Sequence, residues 1–190
     1  ARPEAHLKAF TMIEVAQIQR IAKKPLEDVF ADLCAAGLES IPGGGAEVFS
    51  DRVREDLFWT KADSEDWLEI AAAAHRSGLL SNATMLYGHV ETPAERLGHM
   101  DLLRKQQDHT LSAWAEAQGI SLENSGEIVL TGPAENYSRN RLPLPGQDGL
   151  STGYFQTIIP LPFFPDGSEL EHLPGPSGLE NLRTLAIARL

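Results

Sequence analysis

The chain has 190 residues, 42% of them hydrophobic and 23% charged, with a formal net charge of −11. That length holds one domain with a sizeable core, and the composition is ordinary for a globular protein. The acidic balance argues against a nucleic-acid interface and an anionic membrane surface; there is no apolar run of spanning length and no signal-peptide core after Ala1, so a cytoplasmic location is expected.

The predicted elements alternate. His6 to Phe10 is a short strand candidate, and Thr11-x-x-Glu14 is a capping box opening a helix to about Ile21. A second helix starts near Pro25, carries Leu26, Val29, Phe30 and Leu33 on one face, and ends at Gly37. Leu38 to Ile41 leads into Pro42-Gly43-Gly44-Gly45-Ala46-Glu47, then Val48-Phe49, and Ser50 caps a short charged helix. Asp63 or Ser64 caps a helix from about Glu65 to Arg76, closed by Gly78. Ala83 to Tyr87 reads as a buried parallel strand. Gly88, His89 and Glu91 follow it, and a second capping box, Thr92 with Glu95 and Pro93 at the first position, opens a helix reaching about Gln118. Residues 115–153 are rich in glycine and proline and read as an insertion, with Glu127 to Leu130 a short strand inside it. Tyr154 to Ile159 is the last clear strand, a Pro/Gly-rich loop follows from Pro160, and Glu180 to Leu190 is helical.

A repeated strand–helix order implies a parallel α/β fold. About four units are present, whereas a closed eight-unit barrel takes about 250 residues. The chain is therefore expected to be a partial (β/α) barrel that belongs to a larger barrel, with a complementing chain or self-association covering its open sheet edges. A small open α/β sheet is the plainer alternative.

In a parallel sheet the loops after the strands share one face. Those loops carry Thr11 and Glu14, then the three glycines with Glu47, then Gly88, His89 and Glu91, and finally Pro160, Pro162 and Phe164. Glycines let a backbone approach a ligand closely. Glu47 suits a ribose or ammonium group, or is simply a solvated acid; Thr11, Glu14, Thr92 and Glu95 need no role beyond capping. No Walker pattern is present. His89 stands without a second histidine nearby, so no metal ligand is assigned. His75, His99 and His109 read as solvated helix residues, Trp67 and Trp114 as helix packing. The single cysteine, Cys34, rules out an internal disulfide and reads as a small helix residue.

Three segments carry a resemblance. Lys8-Ala9-Phe10-Thr11, Ser40 through Arg54 with its Pro-Gly-Gly-Gly-Ala-Glu core, and Asn82 through Thr92 with Leu86-Tyr87-Gly88-His89-Val90-Glu91 resemble aminofutalosine synthase, a radical S-adenosylmethionine enzyme of menaquinone biosynthesis by the futalosine route. Ile159-Pro160-Leu161 and Leu182 through Leu190 fit the same family. Its relatives are cyclic dehypoxanthinyl futalosine synthase and FO synthase. The resemblance implies a radical-type (β/α) barrel of which this chain is the middle portion. It also implies S-adenosylmethionine and a 4Fe–4S cluster as cofactors, and addition of a 5′-deoxyadenosyl radical to the alkene of 3-[(1-carboxyvinyl)oxy]benzoate. It places Gly44, Gly45, Glu47, Tyr87, Gly88, His89 and Glu91 at the cofactor and Thr11, Glu14 and Pro160 at the small-molecule substrate. The Cys-x-x-x-Cys-x-x-Cys cluster motif of the family is absent from this sequence, so the chain alone is expected to be inactive. Two readings stay beside this one: a non-catalytic α/β scaffold, and an acid–base enzyme using Glu47, His89 and Glu91.

Overall fold

The computed structural model describes residues 4–57, 63–118, 120–122, 128–130 and 142–189. Helices α1 (Met12–Ala22) and α2 (Leu26–Ala35) come first. Strand β1 (Ser40–Ile41), helices α3 (Asp51–Leu57) and α4 (Ser64–Arg76), and strand β2 (Leu80–Tyr87) follow. Next are the long helix α5 (Pro93–Ala117) and strands β3 (Ile120–Leu122) and β4 (Ile128–Leu130). Strand β5 (Phe155–Pro162) and helix α6 (Gly178–Ile187) complete the order.

The main sheet runs β1-β2-β5, and both pairings are parallel. The expected first strand, His6 to Phe10, is reduced to one parallel bridge from Lys8 to Ser40. Of four anticipated strands, three are therefore laddered and one only touches. The architecture is α/β with a parallel sheet. No helix among the described residues is long and apolar enough to cross a membrane.

Local sequence signals set most boundaries. Both capping boxes form: the Thr11 and Thr92 hydroxyls accept from Glu14 and Glu95, whose carboxylates accept the cap backbone N–H. Asp63, not Ser64, caps α4, and Ser177 caps α6. Gly37 takes φ +100° after α2, as a helix-ending glycine does.

The core lies on the helix-covered side of the sheet. Met12, Val15, Phe30, Ile41, Trp67, Ala71, Ala74 and Ala83 are buried together there. Strand β2 alternates by burial: Ser81, Ala83, Met85 and Tyr87 are buried, while Leu80, Asn82, Thr84 and Leu86 are half-buried. Within the second set Leu80 packs against Leu111 and Trp114 of α5, while Asn82, Thr84 and Leu86 look onto a face with no described helix over it. On β5 the register puts Thr157, Ile159 and Leu161 beside Asn82, Thr84 and Leu86.

Three expectations are corrected. The last strand does not stop at Ile159 but continues to Pro162, so Pro160 and Pro162 lie inside β5 and not in the loop after it. Prolines are tolerated because β5 is an edge strand. Phe163 N–H donates to Tyr87 C=O, so by strand alternation the missing N–H groups of Pro160 and Pro162 fall on the unpaired side. His75 and His99 are not solvated: each is at most 1% exposed, His75 lying against the Ser81 hydroxyl and His99 bridging the backbone of Phe49 and Thr84. His109 is exposed as expected.

In the 115–153 region, β3 and β4 form an antiparallel pair. The expected strand matches Ile128–Leu130, while its first residue, Glu127, lies outside the described residues. Leu150 and Tyr154 pack with Leu111, flanked by Trp114 and Leu142, and the Tyr154 hydroxyl donates to Leu142 C=O at 3.1 Å.

Candidate functional site

The glycine loop after β1 lies against strand β2 on one side and the cap of α1 on the other. The Thr84 hydroxyl donates to Gly43 C=O, and Leu86 N–H donates to Glu47 C=O at 3.0 Å. A Cβ on Gly43 would lie 2.0 Å from the Asn82 carbonyl oxygen, so only glycine lets this loop lie against β2. A Cβ on Gly44 would press on Thr11 at 2.8 Å, which joins the loop after β1 to the cap of α1. Gly45 has φ +87° and lies over Ile13. Glu47 is a non-glycine residue at φ 49°, and Phe10 another at φ 61°; both strained positions sit in this row of loops.

Beneath the glycine loop the anchors are side chains. Trp67 Nε1–H donates to Gly44 C=O at 3.3 Å, and the buried Arg54 donates to Ala46 C=O at 2.9 Å. Burial pulls the Arg54 guanidinium down from its ordinary pKa, opposed by Glu47, Asp63 and Asp51.

After β2 the chain turns at Gly88, φ +87°. Glu91 organises this turn. Its fully buried carboxylate accepts from Gly88 N–H at 2.6 Å and His89 N–H at 2.9 Å, and from Arg96 at 2.6 and 3.0 Å. His89 is tucked in: Nε2 lies 3.2 Å from Leu86 C=O, Nδ1 lies 3.4 Å from Glu91, and the ring meets Phe163 edge-on.

The candidate residues therefore divide. Thr11, Gly44, Gly45, Glu47, Gly88 and His89 gather along the strand ends, with Glu14 fixed to Thr11 by its cap. Glu91 lies below them as a support. Tyr87 and Pro160 fall on the helix-covered face in register with Pro162 and Met85 respectively, and the Tyr87 hydroxyl donates to Asn181 of α6 at 2.9 Å. On the uncovered face the strands present Asn82, Thr84 and Leu86 with Ile159 and Leu161, which are 36% and 45% exposed. Sequence reading passed over this set, although the period-two pattern of Leu80 to Tyr87 marks it. Arg96 was also missed, since Glu180 and Thr184, which place it against Glu91, are 84 and 88 residues away.

No family model matches the chain. Curated relatives do. Against an aminodeoxyfutalosine synthase of Thermus thermophilus the identity is 38% over 192 residues, which is 99% of this chain and 40% of that protein. The chain is homologous to part of the aminodeoxyfutalosine synthases. The Streptomyces coelicolor aminodeoxyfutalosine synthase is 44% identical over 110 residues, 58% of this chain and 28% of that protein. A 5-amino-6-(D-ribitylamino)uracil–L-tyrosine 4-hydroxyphenyl transferase of Microcystis aeruginosa is 45% identical over 131 residues, 69% of this chain and 32% of that protein. The chain thus spans well under half the length of each aminodeoxyfutalosine synthase it resembles.

The residues present fit the two cofactors of the resemblance differently. Half-buried Leu86 and exposed Ile159 and Leu161 lie beside polar Asn82 and Thr84 with glycine backbone at the border, an apolar surface with polar groups of the kind a nucleoside uses. A cluster is another matter. The sequence has one cysteine; Cys34 is half-buried on α2, and burial raises its thiol pKa. Among the described residues no group of three or more His, Cys, Asp or Glu is placed to hold a metal ion. One cysteine cannot provide the set of thiolates that holds a 4Fe–4S cluster.

Proposed function

We propose that this chain is the adenosyl- and substrate-facing portion of a radical S-adenosylmethionine barrel that forms aminofutalosine. The observation that carries the reading is the alignment with an aminodeoxyfutalosine synthase over 99% of the chain. It is supported by the seating of the glycine loop against the cap of α1 at Gly44 and against the end of β2 through Glu47 and Leu86. S-adenosylmethionine, when bound, supplies the adenosyl group that joins the substrate alkene. The chain's own contribution is orientation and shielding. Leu86 and the backbone at Gly88 support the adenine; Gly44, Gly45 and Glu47 border the ribose or methionine part; Thr11 and the top of β5 face the substrate. Cluster thiolates come from outside this sequence, and the chain alone is inactive.

The similarity to the tyrosine hydroxyphenyl transferase supports a second substrate reading, because 69% of the chain aligns with it at higher identity. One titration separates them. S-adenosylhomocysteine is expected to bind the chain saturably, and Leu86→Asp to abolish that binding. Addition of 3-[(1-carboxyvinyl)oxy]benzoate should then change the signal while tyrosine does not. The reverse preference would favour the transferase reading, and no binding of S-adenosylhomocysteine at all would sink both.

A further inference from the structure

We infer that α6 is a latch that sets the shape of the loop after β2, with Arg96 as the positioning residue that transmits its docking. The inference rests on the adenosyl reading only for the identity of the ligand.

Helix α6 holds to the rest of the chain mainly through polar contacts. Of its residues only Thr184 is buried, while Leu179, Leu182 and Leu185 are 59%, 67% and 46% exposed. What ties it down converges on one spot. Arg96 donates to Thr184 Oγ1 and to Glu180, each at 2.9 Å. The same guanidinium grips the Glu91 carboxylate and stacks over the Tyr87 ring, 4.9 Å from its centre. Tyr87 in turn reaches Asn181 on α6. Just before α6, the ring of Pro176 fills the space where Gly88 lacks a Cβ, 2.5–2.6 Å from that position.

The chemistry makes this a chain of dependence. Glu91 holds Gly88 and His89 by their N–H groups, so its position fixes the turn. A buried carboxylate needs its cation, so Glu91 stays where Arg96 places it. Arg96 divides its five donors between Glu91 and α6, so undocking Thr184 and Glu180 leaves its rotamer held by Glu91 and Tyr87 alone. Releasing α6 removes Pro176 from Gly88 and two of the anchors of Arg96 together.

The test compares amide hydrogen exchange in the 190-residue chain with that of Thr184→Val combined with Glu180→Gln, and of Asn181→Leu. Arg96→Met serves as the direct cut, and Leu182→Ser on the exposed side of α6 as the control. The latch predicts at least about tenfold faster exchange at Gly88 and His89 in the α6 variants. Ala83 and Met85 in β2 should keep their protection and Leu182→Ser should change nothing. Unchanged exchange at Gly88 and His89, or acceleration spread equally over β2, overturns it. The Kd for S-adenosylhomocysteine should rise in parallel with the exchange rate. If the unmodified chain binds no S-adenosylhomocysteine, the adenosyl reading fails and the exchange result alone decides the latch.

Discussion

His99 accepts the backbone N–H of Phe49 on Nδ1 at 3.1 Å. That bond fixes the tautomer: Nε2 carries the proton and donates to Thr84 C=O at 3.0 Å. A protonated ring would set N–H against N–H, in keeping with a pKa lowered to about 3 chiefly by burial. His75, likewise buried and against the Ser81 hydroxyl at 2.8 Å, is lowered to about 3 by burial. For both, the unfolded chain binds the proton first. The neutral-state stability is complete above the unfolded pKa of about 6.5 and is lost as pH falls from there toward about 3. Urea unfolding is expected to show about 3 kcal/mol less stability at pH 5.5 than at pH 7.5, roughly 1.4 kcal/mol for each histidine. His99→Ala should remove about half of that slope and cost about 2–4 kcal/mol at neutral pH. A flat profile between pH 7.5 and 5.5 would refute the buried neutral pair.

Glu95 ties α3 to α5. Besides its cap it accepts from Ser50 at 2.6 Å and from Arg52 at 2.6 and 3.0 Å. Arg52, then Ser50 and Thr92, hold its carboxyl below the ordinary range. This contribution is present above the unfolded pKa near 4.3 and disappears only as pH falls below it. Because Arg52 is half-exposed, Arg52→Ala should cost no more than about 1 kcal/mol and less in high salt. Glu95→Ala, which also breaks the capping box, should cost about 1–2 kcal/mol. Equal costs for the two in thermal melts would contradict this ranking.

The glycines make a graded prediction. Gly43→Ala drives a methyl into the Asn82 backbone, where nothing flexible yields, and should separate β1 from β2. Gly37→Ala meets only open space and carries the cost of φ +100° alone, about 1–2 kcal/mol. Melting temperatures should therefore fall further for Gly43→Ala than for Gly37→Ala. The opposite order would mean that the close approach of this loop to β2 is wrong.

Asp108 is 6% exposed, and neither carboxylate oxygen has a hydrogen-bond partner among the described residues. Burial raises its pKa, with Arg104 opposing. A charge buried this way is a cost, so Asp108→Leu should stabilise the chain by about 1–3 kcal/mol. A loss of stability in denaturant titrations would show that the carboxylate is held by a partner.

What the sequence made legible was local. The two capping boxes, Gly37 and the Asp63 cap depend on residues three or four apart, and they formed where expected. The glycine loop and Gly88 turn were visible for the same reason. The role of Glu91 was not, because its cation comes from the next helix and is oriented by Glu180 and Thr184, 84 and 88 residues from Arg96. His75 and His99 were misread because a polar residue on a helix looks solvated until its buried partners are known: the Ser81 hydroxyl for His75, the backbone of Phe49 and Thr84 for His99. The end of β5 was misread because Pro160 signals a loop, and only strand order reveals an edge where proline is harmless.

Pro160 and Pro162 make β5 a seam that can be sewn for only part of its length. A further strand laid beside it finds a donor at Ile158 but none at the next two outward positions. Pro160 and Pro162 still offer their carbonyls there, so at the end level with Met85 and Tyr87 the junction keeps acceptors and loses donors. Whatever strand lies alongside is therefore joined by fewer hydrogen bonds near the gathered loops than farther down β5.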